Sequence, residues 1–151
     1  MKIRVLVFEF IANRQTNMLY AAFYISEFYK PSLSRDDPYY REWMHWLVGN
    51  IPGKNIASAD VLSEYIGIGP PKDTGLHRIV FLVYKQPAKI EFTEERLTNK
   101  NAVGSSNFHI AKFAEKYNLG NPVAGNFFQA AFDDWVPIIH KKFSIAEVYP
   151  H

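Results

Sequence analysis

Two histidines carry most of the chemistry this sequence offers. His45 stands in the run Tyr-Arg-Glu-Trp-Met-His-Trp-Leu-Val (40–48), and His77 follows Gly-Ile-Gly-Pro-Pro-Lys-Asp-Thr-Gly-Leu (67–76). Imidazole N–H groups, with the open backbone N–H groups of a glycine-bearing loop, bind phosphate oxygens without a large net charge. Gly69 and Gly75 let backbone approach a ligand, and Pro70 and Pro71 stiffen the loop and lower the ordering cost of binding. Free imidazole titrates near pH ~6.5, so anion binding is expected to be weaker at pH 8 than at pH 6. Taken on its own, a histidine between apolar strand residues is more often a hydrogen-bonded core group than a ligand contact.

Other chemistries find little support. There are no cysteines, so there is no thiolate nucleophile, thiolate ligand or disulfide framework, a composition that points to the cytoplasm. Gly67-x-Gly69 runs into prolines instead of a helix and is no dinucleotide fingerprint, and no Gly-x-Ser-x-Gly elbow or Walker loop is present. Asp36-Asp37 and Asp133-Asp134 read as loop solvation and helix capping. A metal would need a third ligand beside His45 and His77, so neither metal nor cofactor is expected, and the chain is read as a non-enzyme. A formal charge of +2 falls short of a nucleic-acid binder. Glu9 interrupts the N-terminal apolar run, which is not read as a signal peptide, and the block 19–25 is too short to cross a bilayer.

The elements that must position these residues read as mostly β. With 151 residues, 48% of them hydrophobic and 16% aromatic, one domain can bury a substantial core. Segments 3–11 and 19–25 predict a hairpin or two edge strands, and 31–40 a loop. Residues 41–48 predict a central strand, with Trp43, His45 and Leu47 on one face and Met44, Trp46 and Val48 on the other. Pro52-Gly53 marks a turn, 60–66 a strand or helical turn, 67–75 a stiff loop, and 78–84 the most buried strand. Ile110, Phe113, Ala114 and Tyr117 predict a helix capped by Ser106 or Asn107, with Gly120 past its end. A last aromatic strand is expected over 122–132. A final helix would be capped by Asp133, with Val136, Ile139 and Phe143 inward and Lys141 and Lys142 in solvent.

Three stretches in order, Ser-Arg-Asp-Asp-Pro with the 40–48 run, Tyr-Ile-Gly-Ile-Gly-Pro-Pro-Lys-Asp-Thr-Gly-Leu-His-Arg (65–78) and Pro-Val-Ala-Gly-Asn-Phe-Phe-Gln-Ala (122–130), resemble the phosphatidylethanolamine-binding protein family, in its animal rather than plant form. The resemblance runs from Ser34 to about Phe143. It implies an antiparallel β-sandwich-like core with peripheral helices and a small anion pocket for phosphate or a phospholipid head group. By motif match, His45 and His77 would bind the ligand, Trp43 and Tyr40 would wall the pocket, and Gly69 to Pro71 would form its rim. A protein kinase or serine protease inhibited by surface contact is the partner class implied. A cis peptide at Arg41-Glu42 is implied as well.

The chain departs from the family where the pocket is concerned. The family's Asp-Pro-Asp-x-Pro-Ser-Arg motif is Tyr-Lys-Pro-Ser-Leu-Ser-Arg (29–35) here, so both pocket aspartates are gone. Ile79 stands where a tyrosine is expected, and His140 replaces the tyrosine of the family's C-terminal pocket helix. His140, beside Lys141, is read chiefly as a surface residue and kept as a further pocket candidate. Residues 1–33 form a divergent N-terminal segment, in which family strands are expected to be incomplete, and 34–151 the family-like domain. The expectation is a head-group-binding module; the alternative is a truncated or divergent interaction protein that keeps the fold with a defective pocket.

Overall fold

The computed structural model describes residues 19–27, 42–100 and 108–143. Five strands, β1 (Leu19–Glu27), β2 (Trp43–Pro52), β3 (Asp60–Ser63), β4 (His77–Gln86) and β5 (Ala124–Ala130), form one antiparallel sheet in the order β3-β2-β1-β4-β5. Two short helices, α1 (Ile110–Lys116) and α2 (Val136–Phe143), and a 3-10 turn at Ile56–Ser58 accompany it. The mostly β architecture with peripheral helices is therefore as expected; the described residues contain one sheet of it.

The position of β1 corrects the reading of 19–25 as an edge strand. It lies at the centre, pairing with β2 along one side and with β4 over its full length on the other. Composition marks a strand but not its neighbours: pairing partners come from distant segments, which local patterning does not encode. The segment expected to diverge most from the family thus joins the two histidine-bearing strands.

Apolar clusters cover both faces. On one, Ala21, Met44, Leu47 and Tyr84 pack with Phe92 and with Ile110, Phe113 and Ala114 of α1. On the other lie Val48, Ile51, Ile79, Phe81 and Val83, with Trp46, Ile68 and Phe128 against them. Met44 and Leu47 share one cluster, and Trp46 and Val48 the other, so the strict alternation expected along β2 fails. The cause is a register shift opposite Tyr24 and Ile25, which takes His45 out of pairing. A bulge adds one residue and reverses the parity of everything beyond it.

Beyond that point β2 carries a fully bonded polar hub that the apolar pattern conceals. Asn50, at φ 52°, donates its backbone N–H to Gln86 Oε1 at 2.6 Å. Its side-chain amide donates to Asp60 Oδ2 and the Ile90 carbonyl, while its Oδ1 accepts from Gln86 Nε2 and the Ile90 N–H. Strand β2 is thereby tied to β3, β4 and the segment after β4.

Helix α1 begins later than expected. Its N-cap is His109, which makes no side-chain cap bond; Glu42 Oε2 accepts the Ile110 N–H at 2.7 Å instead. A carboxylate brought in from 68 positions away satisfies a donor that a local Ser106 or Asn107 was expected to serve. Both of those residues fall outside the described segments. Gly120, at φ 68°, follows the helix end as expected. At α2, Asp133 Oδ1 accepts the Trp135 N–H at 3.0 Å, Val136 and Phe143 are buried, and Lys141 and Lys142 are exposed.

Candidate functional site

Register brings Trp43 and the end of β4 onto one face. Trp43 pairs with Ser26, Ser26 with Ile79, and Ile79 with Phe128, so a single rung crosses four strands. Residues opposite one another in a sheet share a face. His77, two positions before Ile79, lies on that face too. Ile68, from the loop between β3 and β4, packs against the same cluster. Trp43 and His77 are each 1% exposed. Tyr40 and the Arg41–Glu42 bond fall outside the described residues, though Glu42 itself holds a left-handed φ of 61°, a conformation that disfavours non-glycine residues.

Three imidazoles hold the 66–77 loop. His45 Nδ1 donates to the Ile66 carbonyl at 3.1 Å, and the Ile66 N–H donates to the His45 carbonyl at 2.8 Å. His140 Nε2 donates to the Gly69 carbonyl at 2.8 Å. His77 Nε2 lies 2.6 Å from Thr74 Oγ1, which in turn donates to the Pro71 carbonyl at 2.7 Å. A carbonyl supplies no proton, so each ring nitrogen facing one must carry the hydrogen. The loop itself bends through left-handed Asp73 (φ 64°) and Gly75 (φ 75°).

Helix α2 is seated against the loop where two glycines leave room. A Cβ on Gly67 would come within 3.1–3.3 Å of Ile139 and Phe143, and one on Gly69 within 2.8 Å of the His140 ring. His140 is half-buried at this contact. The reading of His140 as chiefly a surface residue is thus corrected: the helix presents it to the Gly69 carbonyl, and a short helix gave no local sign of where it would dock.

Burial pushes both strand histidines down. His45 falls to about 4, desolvation outweighing its hydrogen bonds to the Ile66 and Gly67 backbone. His77 also falls to about 4, with burial the cause. Both rings of the free protein are neutral at pH 6 and at pH 8. The expected contrast in anion binding between those two values therefore cannot come from titration of the free rings near 6.5, the assumption behind it.

The structure thus brings His45, His77 and His140 to the loop that holds Gly69, Pro70 and Pro71, and places Trp43 on the same sheet face as His77. Sequence reasoning missed Thr74, whose place in the Gly-Pro-Pro-Lys-Asp-Thr-Gly run gave a signal only as turn chemistry. Among the described residues, no group of three His, Cys, Asp or Glu side chains is arranged to hold a metal ion, and no helix is long and apolar enough to cross a membrane.

The model of the family described as "Phosphatidylethanolamine-binding protein" matches residues 30–128. The Drosophila melanogaster protein named "Putative odorant-binding protein A5" is 48% identical over 108 residues, 72% of this chain and 51% of its own length. The chain therefore spans about half of that curated relative. The solution structure of CG7054 superposes with a TM-score of 0.67 at 44% identity, covering 86% of this chain and 71% of its own. A carboxypeptidase Y inhibitor, crystallised with its cognate proteinase, superposes with a TM-score of 0.61 at 28% identity over 80% of this chain and 63% of its own. Three motifs in order, a family model matching well over half of the residues and a shared fold lead to one conclusion: the chain belongs to the phosphatidylethanolamine-binding protein family.

Proposed function

We propose that this chain is a binding module for a phosphomonoester, free or as a phospholipid head group, held where Trp43, His45 and His77 meet the Gly67–Gly75 loop. The observation that carries the reading is the fixing of that loop by three histidines on separate elements, His45 on β2, His77 on β4 and His140 on α2. A rim fixed before binding loses little entropy on engaging a ligand. Gly69 and Pro71 form that rim; Tyr40 belongs to the proposal on the motif match alone.

Calorimetric titration of the wild type with phosphorylethanolamine and with inorganic phosphate tests it. Saturable binding is expected, weakened at least tenfold in His45→Ala and His77→Ala, about 1.4 kcal/mol. Variants that remain folded by circular dichroism and bind as tightly as the wild type overturn the site. Binding of phosphorylethanolamine but not phosphate would show that the amine end carries recognition.

A second reading is favoured by Ile79. It is fully buried in the rung between Trp43 and Phe128, where family resemblance leads one to expect a tyrosine. An apolar side chain there offers a ligand nothing polar and suits a protein that keeps the fold for surface contact, as an inhibitor of a proteinase or kinase. The proteinase-bound relative supports that class of partner. Inhibition of a serine carboxypeptidase by a chain that binds no phosphate would establish it; absence of both activities would remove both readings.

A further inference from the structure

We infer that Thr74 is a positioning residue for His77: it holds the ring as the Nε2–H tautomer, so that any proton accompanying a bound phosphoryl oxygen is taken up on Nδ1. The inference rests on the anion-binding reading above for its consequence, but on geometry alone for the tautomer. Thr74 Oγ1 has a single hydrogen and gives it to the Pro71 carbonyl, at 2.7 Å. The same oxygen lies 2.6 Å from His77 Nε2 and must therefore accept there. Because the relay ends on a carbonyl, which has no proton to return, its direction is fixed: Nε2–H to Oγ1–H to carbonyl. His77 is 1% exposed, so solvent does not compete for that bond.

The backbone makes the arrangement specific. Asp73 and Gly75, both left-handed, flank Thr74 and set its hydroxyl between a carbonyl three residues before it and a ring three residues after it. His45 is held the other way round, with its hydrogen on Nδ1 facing the Ile66 carbonyl. The two rings therefore differ in which nitrogen is basic, a distinction set by their hydrogen-bond partners. A fully ionised phosphomonoester gains from a donor, and a neutral ring of this tautomer becomes a second donor only when a proton is bound at Nδ1 together with the ligand. The charged groups next along the chain, Lys72, Asp73 and Arg78, are exposed, and burial is the cause of the histidine's lowered basicity. The site is thus expected to take up phosphate together with a proton.

Long-range proton–nitrogen NMR of the ligand-free protein tests the tautomer, and calorimetry with inorganic phosphate in two buffers of different ionisation enthalpy counts protons. The wild type should show His77 as Nε2–H. Thr74→Val, which keeps shape but removes the hydroxyl, should lose that signature and, with the His77 ring free to carry the hydrogen on Nδ1, take up fewer protons on binding phosphate. Thr74→Ser should restore both. An Nδ1–H ring in the wild type overturns the inference even if no variant folds, as does a Thr74→Val protein with unchanged spectrum and proton count. An Nε2–H ring in a wild type that binds no phosphate supports the positioning and overturns the anion site instead.

Discussion

His140 Nε2 and the carbonyl oxygen of Gly69 lie 2.8 Å apart, joining the end of α2 to the middle of the proline-stiffened loop. The pair has a steric side as well, since a methyl group on Gly69 would fall 2.8 Å from the same ring. Hydrogen bond and notch are one contact seen from two residues, and helix and loop are expected to move together.

Removing the ring should loosen the loop. His140→Ala is expected to destabilise the protein by about 1 kcal/mol, a hydrogen bond's usual net worth, and to speed amide exchange in the Gly67–Gly75 loop. Gly69→Ala should destabilise similarly in the wild type but much less in the His140→Ala background, because the clash is with that ring. A double-mutant cycle by urea unfolding measures the difference; strict additivity would show that the two residues do not communicate.

Acidification should weaken the fold through His45 and His77. Both folded-state values are depressed to about 4 from 6.5. The unfolded chain thus binds protons first as pH falls. Their contribution is full above about pH 6.5 and is lost progressively down to about pH 4, by at most about 3 kcal/mol per ring. Urea midpoints at pH 7, 6, 5 and 4.5 should decline, and His45→Gln should flatten part of the slope. The same slope in His45→Gln and the wild type would exclude a role for that ring.

Gly49 is expected to tolerate no side chain. A Cβ there would run into the Phe92 ring, which is itself buried against Phe113 and Tyr117. Overpacking of this kind costs about 1–3 kcal/mol. Gly49→Ala should lower Tm by several degrees, in proportion for a chain of this size, while Gly120→Ala, with open space around it but φ 68°, should act through backbone strain alone. Equal melting of Gly49→Ala and the wild type would refute the close packing.

Glu42→Ala should loosen the first turn of α1 while the apolar packing of Ile110, Phe113 and Ala114 keeps the helix on the sheet. Loss of its carboxylate leaves the Ile110 N–H unserved, and cap replacements of this type cost about 1 kcal/mol. Glu42→Gln keeps an acceptor and should recover most of the loss. Hydrogen exchange at Ile110 and the first turn of α1 reads the effect directly; unchanged protection in Glu42→Ala would show that the cap is dispensable.

Much of the fold was legible in the residues because it depends on local chemistry. The apolar runs of β2 and β4, the Pro52-Gly53 turn, the glycine–proline loop, the helical spacing of Ile110, Phe113 and Ala114 and the cap at Asp133 all act within a few positions, and each lies where the sequence pointed. The three motifs sufficed for the family. What the sequence left open concerns groups that meet only after folding. Central placement of β1, the bulge at His45, the service of α1 by Glu42, the Asn50 hub and the seating of His140 on Gly69 join positions tens of residues apart. His45 and His77 show the reason most plainly: residue type set the chemistry of an imidazole, but burial by the assembled sheet lowered the basicity of both, and the acceptor that folding placed beside each ring chose which nitrogen holds the proton.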